Sequence, residues 1–221
     1  MSELRIKIPI TDKSFYDSVS AKANQEKINT VIKPKFGKYV ENISSIVGLP
    51  SSLIYAFIFI ESGGNQLAKS PYAVGLMQLS AATASDTLVK EKGLGRLSKE
   101  EIQILKKYLG SRYSIIESVK PKETSIGKTF INNNDLIQPE LNILIGAILI
   151  KQLVSLFTES DGKVRMDKVV TIYNGGMYGA TAKKIIAFKG TTEKLISEVP
   201  KETSDYIKKL LGVNSILDSI V

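Results

Sequence analysis

One carboxylic acid stands alone in the most apolar part of this chain. Glu61 is the sole acidic residue between Glu41 and Asp86, and it closes the run SSLIYAFIFIE at 51–61. Such a place acts twice on a carboxyl group: partial burial disfavours the charged form, and the C-terminal end of a helix carries partial negative charge that does the same. Both effects raise the pKa, which is how a carboxyl keeps its proton near neutrality and serves as a general acid. On position alone, a Glu that simply reaches from a helix end into water is an equally good account. Composition narrows the chemistry further. The 221 residues include no Cys, no His and no Trp. There is then no thiolate nucleophile, Fe–S cluster or disulfide, and no Ser-His-Asp triad or His-bearing zinc site. Any proton transfer must run through Asp, Glu, Tyr, Lys or water.

A second candidate fails on its context. Residues 122–129 read KETSIGKT and end like the phosphate-binding loop G-x-x-x-x-G-K-[ST], but Lys122 stands where the first Gly is needed. No strand pattern precedes the run and no apolar helix follows it, so the backbone cradle for a nucleotide is missing. No cofactor and no metal is expected.

The elements that must position Glu61 read as helices. Residues 36–47 carry apolar side chains at Phe36, Tyr39, Val40, Ile43, Ile46 and Val47, a helical stripe ended by Gly48. Pro50 with Ser51 and Ser52 starts the next helix, and 51–61 is apolar almost all round, which predicts a central helix closed by Gly63-Gly64. Further helices are expected at 80–91, 98–109, 139–158, 166–174, 177–188 and 201–211, with a surface helix or arm at 14–29. The segment 110–135 is the least helical and is expected to hold a short β-hairpin or a long loop. The pattern predicts a mostly α fold.

Charge says less. Thirty Lys and Arg against 22 Asp and Glu give +8, and only Arg5, Arg96, Arg112 and Arg165 are arginines. Lysine is a poor bidentate reader of bases, so no nucleic-acid partner is expected. The excess fits a solvated surface or attraction to anionic polymers of a cell envelope. The N-terminus shows no signal-peptide pattern. The apolar stretches 53–60 and 143–150 are each eight residues, short of the ~20 that a membrane span requires. No membrane span is expected.

The stretch ESGGNQLAKSPYAVGLMQLSAATA at 61–84 resembles the soluble lytic transglycosylase family, whose fold is lysozyme-like. The resembling positions are Glu61-Ser62, Asn65, Ala68, Ser70, Gly75-Leu76-Met77-Gln78 and Thr83-Ala84. Asn142-Ile143 with Gly146 is similar to the family's N-I-x-x-G helix. Tyr173-Asn174-Gly175-Gly176 is similar to its A-Y-N-x-G turn, and Glu202-Thr203 with Tyr206 to its E-T-x-x-Y segment. The four blocks stand in the family's order and cover roughly residues 36–211. Residues 1–35 fall outside them as an N-terminal arm or helix, and 36–221 is expected to be the catalytic domain. Gly63-Gly64 stands where the family often has a bulky residue soon after E-S, and two departures in length are visible. The family's S-x-x-G-A-x-G is one residue shorter here between Ser70 and Gly75, which implies a tighter loop, and the connection 85–138 is longer.

The resemblance implies a peptidoglycan lytic transglycosylase acting on glycan strands. Glu61 matches the family's single catalytic acid/base, which protonates the oxygen between MurNAc and GlcNAc. It then takes the proton of the MurNAc 6-hydroxyl as that group closes a 1,6-anhydro ring. Ordinary lysozymes use two carboxylates; a nucleophile carried by the sugar removes the need for the second. Ser70, Met77 and Gln78 match groove-lining positions, Tyr173 and Asn174 match the turn that faces the acid in the family, and Glu202 and Tyr206 match groove residues. Plain structural roles exist for several: Met77 as core, Tyr173 as a packing aromatic, Glu202 and Tyr206 as an i, i+4 pair. With no Trp, stacking on sugars would fall to Tyr72, Tyr173 and Tyr206. The alternatives are a goose-type hydrolase of the same bond and a non-catalytic wall-docking protein of a virion. The missing signal fits a phage protein, carried in the particle or held in the host cytoplasm before it reaches the wall.

Overall fold

The computed structural model describes residues 6–7, 21–120, 129–176 and 180–211. In chain order the elements are β1 (Ile6–Lys7), α1 (Ala21–Lys27), a π-helical turn (Ile28–Ile32), α2 (Lys33–Val47), α3 (Ser51–Ser62), α4 (Ala81–Gly93), α5 (Lys99–Leu109), a 3-10 turn (Gly110–Arg112), α6 (Tyr113–Glu117), α7 (Asn133–Leu136), α8 (Pro139–Leu156), β2 (Val164–Arg165), α9 (Met166–Gly175), α10 (Ala180–Ala187), α11 (Thr192–Glu198) and α12 (Lys201–Leu211). The fold is mostly α, as the spacing predicts. Two compact units divide it: residues 31–149, and residues 1–30 with 150–221. Residue 35, where the N-terminal arm or helix is expected to end, lies within α2.

Within the unit 31–149, α2 ends at Gly48, whose φ of 78° puts the chain into the left-handed conformation that a side chain resists. The chain re-enters a helix after Pro50. In α3 six consecutive residues, Leu53 to Ile58, are buried. A helix buried on every face draws its stability from solvent exclusion, worth about 1.5–3 kcal/mol for each large apolar side chain. That outweighs the few tenths of a kcal/mol that β-branched Ile54 and Ile58 cost in helix propensity. Tyr55 donates its hydroxyl hydrogen to Glu41 Oε1 at 3.0 Å, tying α3 to α2; burial and the Glu41 carboxylate hold the phenol well above its ordinary pKa. Ser98 and Glu101 form the reciprocal cap that starts α5.

The segment 110–135 departs from the expected hairpin or long loop. Its described residues hold the 3-10 turn, α6 and α7, and residues 121–128 lie outside the description. Three features explain the helices. Tyr113 and Ile116, one turn apart, are buried, and Asn132 caps α7 with Asp135 as the reciprocal partner. The Arg112 guanidinium grips the Asp135 carboxylate through two hydrogen bonds of 2.6 Å. The Ser85 hydroxyl accepts from the Phe130 and Ile131 amides at 3.1 Å, which anchors the segment on α4. By length and composition α8 could cross a membrane, but 72% of it is buried inside the protein. It reads as a core helix, and Lys151 and Gln152 agree with that.

Within the other unit, β1 and β2 form a two-residue parallel pair, Ile6 opposite Val164 and Lys7 opposite Arg165. Arg165 donates from Nε to Asp167 Oδ1 at 2.9 Å and from a terminal nitrogen to Oδ2 at 2.7 Å and to the Gly190 carbonyl at 3.0 Å. Asp167 is wholly buried and also accepts from the Thr192 hydroxyl. This network fixes the start of α9 against the start of α11, a helix that the sequence reading did not assign. The Lys168 ammonium, desolvated and close to Arg165, is held below the ordinary lysine range. α12 packs on α9 through its buried face, Ile207, Leu210 and Leu211.

Candidate active site

Glu61 sits in the last turn of α3, half-buried. The helix is stopped by two glycines in left-handed conformations, Gly63 at φ 59° and Gly64 at φ 85°. A Cβ on Gly64 would lie 2.9 Å from Ile32 Cγ1, so the turn after Glu61 presses its backbone directly on α2's approach. Ser62 then ties the helix end to the segment that follows. Its hydroxyl lies 3.1 Å from the Ile58 carbonyl and 2.8 Å from the Leu76 carbonyl, and it accepts from the Gly64 amide at 3.2 Å.

The segment 65–80 is a tightly folded loop. Val74 exchanges both backbone hydrogen bonds with Leu79 and bridges to Lys69 on its other side. The Ala68 carbonyl accepts from the Gly75 amide at 2.8 Å and from Gln78 Nε2 at 3.1 Å. At the tip the Ser70 hydroxyl accepts from the amides of Tyr72 and Ala73, while the Ser70 amide donates to Ala73. The Ser-x-x-Ala spacing, one residue shorter than the family pattern, thus closes a compact turn. Gln78 has φ 43°, unusual for a residue with a side chain. Such a conformation costs about 1–3 kcal/mol. The two hydrogen bonds from its amide nitrogen, to Ala68 and to Gly75 at 2.9 Å, are of comparable worth at about 1 kcal/mol each.

A buried asparagine locks the loop from below. Asn142 on α8 has no exposed surface. Its Oδ1 accepts from the Met77 amide at 2.8 Å, and its Nδ2 donates to Val74 at 3.1 Å and to Leu136 at 2.9 Å. One turn along α8, a Cβ on Gly146 would strike the Met77 thioether, so the glycine is what lets that side chain lie against the helix. Met77 is itself wholly buried. Met77, matched in sequence to a groove-lining position, packs beneath the loop, where α8 offers a side-chain-free notch.

The structure thus brings together Glu61, Ser70, Met77 and Gln78 within one unit, with Ser70 and Gln78 spending their polar groups largely on the loop itself. Tyr173, Asn174, Glu202 and Tyr206 fall in the other. Tyr173 and Asn174 are half-buried in the last turn of α9. Glu202 is exposed in the first turn of α12. Tyr206, matched in sequence to a groove position, is only 8% exposed and lies on the buried side of α12. A cavity of about 120 Å³ lies among α9, α10 and the start of α12, lined by Thr171, Gly175, Gly176, Ile185, Pro200 and Thr203 among others.

Two further residues shape the site. Ser62 and Gly146 were visible only as letters of the resembling blocks, and nothing in their local composition assigns them the clamp and the notch. Asn142 was expected as a structural hydrogen-bonder and is one. Residues 38–118 match the family model for the transglycosylase SLT domain. No curated protein matches the chain. The matched span contains Glu61, its Ser62 clamp and the whole loop to Gln78, so this part of the chain is similar to the transglycosylase SLT domain.

Proposed function

We propose that the protein is a peptidoglycan lytic transglycosylase in which Glu61 is the single acid/base. The observation that carries this reading is the local architecture. A half-buried carboxylic acid stands in the last turn of a mostly apolar helix, and the adjacent Ser62 fastens that end to a rigid loop inside the segment that matches the SLT domain. The loop is held by Asn142 from beneath, so the carboxyl group and the loop surface form one preorganised unit.

In the proposed reaction Glu61 gives its proton to the oxygen linking MurNAc to GlcNAc. The bond from that oxygen to the anomeric carbon breaks, and the GlcNAc leaves with a new hydroxyl. The MurNAc 6-hydroxyl then bonds to the anomeric carbon and returns its proton to Glu61. No water is consumed and the carboxyl group ends as it began. Gln78, Tyr173, Asn174 and Glu202 are proposed as substrate contacts by their match to the family's blocks. The exposed lysines of α10 to α12, Lys183, Lys184, Lys194, Lys201 and Lys209, support attraction to anionic envelope polymers, which salt should weaken.

Replacing Glu61 by Gln tests the proposal. The amide keeps the shape and cannot deliver the proton, so clearing of purified cell walls should fall by about 10²–10⁴-fold with an unchanged far-ultraviolet spectrum. Wall clearing at the parent rate by Glu61→Gln would overturn it.

A further inference from the structure

Of the three tyrosines available to stack on sugar rings, Tyr206 is buried and Tyr173 half-buried, while Tyr72 is 84% exposed. Leu67, at 63%, is the next most exposed large apolar side chain among the described residues. Both belong to the loop that Ser62 fastens to the end of α3.

Neither side chain contributes to the core, yet the backbone beneath them is fixed. Tyr72 follows Pro71, and its amide is held by the Ser70 hydroxyl at 3.3 Å. The Leu67 amide is held by Asn65 Oδ1 at 3.0 Å. The loop is closed at its base by the Lys69–Val74 and Val74–Leu79 bridges. A ring displayed on a rigid turn loses little freedom when it binds, since a tyrosine has only two side-chain torsions. Exposed apolar side chains gathered on one such loop mark a contact surface. Tyr72 lies in the turn that Ser70 and Ala73 close, two residues before Val74. The loop that carries the exposed ring is fastened to the residue after Glu61 by the Ser62–Leu76 hydrogen bond, which suits it to a sugar neighbouring the bond that is cut.

We propose that Tyr72 is a sugar-binding platform: its ring takes the apolar face of an N-acetylhexosamine in a subsite beside the one served by Glu61, and Leu67 extends that apolar rim. This assignment rests on the wall-cutting reading of Glu61. It concerns a residue of the shortened segment, where the chain departs from the family pattern.

The absence of Trp from the chain supplies a clean reporter, because Tyr72→Trp introduces the sole indole. The probe is a soluble chito-oligosaccharide, which carries N-acetylhexosamines and no stem peptide, added to variants that also bear Glu61→Gln. With Tyr72→Trp, the emission should shift to the blue and saturate. Calorimetry should show Tyr72→Phe close to the parent and Tyr72→Ala weaker by about tenfold. On cell walls with Glu61 intact, Tyr72→Ala should raise KM by a similar factor and leave kcat nearly unchanged. An unmoved indole emission at saturating oligosaccharide, together with undiminished binding by Tyr72→Ala, overturns the platform while leaving Glu61 as the acid. An effect of Tyr72→Ala on walls but not on the oligosaccharide also overturns it, in favour of a stem-peptide contact. Failure of the wall-cutting reading has a separate signature: Glu61→Gln clears walls normally, and no variant binds the oligosaccharide.

Discussion

Asn142 is where a single substitution should do the most to the candidate site without touching it. Its side chain makes three hydrogen bonds with no exposed surface, one to the Met77 amide and two to the carbonyls of Val74 and Leu136. Each is worth about 1 kcal/mol net, and an orphaned buried donor such as the Met77 amide costs about 1–3 kcal/mol. Asn142→Ala should therefore destabilise by about 3–5 kcal/mol. For a chain of this size that corresponds to a fall of roughly 10 °C in Tm. Asn142→Asp sharpens the test. It keeps the shape and the acceptor for Met77, but sets a carboxylate oxygen against two carbonyls. The charged form is disfavoured there, so the folded pKa rises above the unfolded value. The sign follows: the Asp variant should be most stable at acid pH, below the unfolded pKa, and lose stability as pH rises through the folded pKa. Thermal unfolding followed by circular dichroism reads both. If Asn142→Ala melts within about 2 °C of the parent, the asparagine is not the lock described here.

Four other substitutions probe the two units. Ser62→Ala removes the bond to the Leu76 carbonyl; a loss of about 1 kcal/mol of stability and of up to roughly tenfold in kcat/KM on cell walls is expected, read by melting and turbidity assays. Gly146→Ala places a methyl group on the Met77 thioether and should cost about 1–3 kcal/mol. Adding Met77→Ala should give less than the sum of the two single losses, a coupling measured by a double-mutant cycle. Asp167→Ala removes the two close carboxylate contacts of the buried Arg165 guanidinium and leaves only Glu159, at 3.9 Å; it should cost about 3–5 kcal/mol in urea unfolding.

Much of the helical frame was legible because its signals are local. The mostly apolar run 51–61 forms a buried helix, and the stops at Gly48 and Gly63 fell where left-handed conformations occur. What escaped depends on partners distant in sequence. Two-residue strands such as β1 and β2 have no periodicity to read. The short helices α6, α7 and α11 are fixed by caps and by the Arg112–Asp135 and Asp167–Thr192 contacts, which no window along the chain contains. The site divides in the same way. Glu61 could be singled out by its isolation among apolar residues, and the shortened loop by counting from Ser70 to Gly75. The inward turn of Met77 could not, because it depends on Gly146 nearly seventy residues on. The letters shared with the family acquire separate physical meanings: a clamp in Ser62, a doubly used carbonyl in Ala68, a strained donor in Gln78, a lock in Asn142 and a notch in Gly146.

The products of wall digestion test the central claim most directly. Purified peptidoglycan treated with the protein, without further reduction or hydrolysis, can be resolved by mass spectrometry into its muropeptides. A transglycosylase built on Glu61 alone yields fragments ending in 1,6-anhydroMurNAc, each lighter by one water than its hydrolytic counterpart, and Glu61→Gln yields none. Reducing-end MurNAc as the main product would contradict the account, since it requires water as the nucleophile and a second group to direct it.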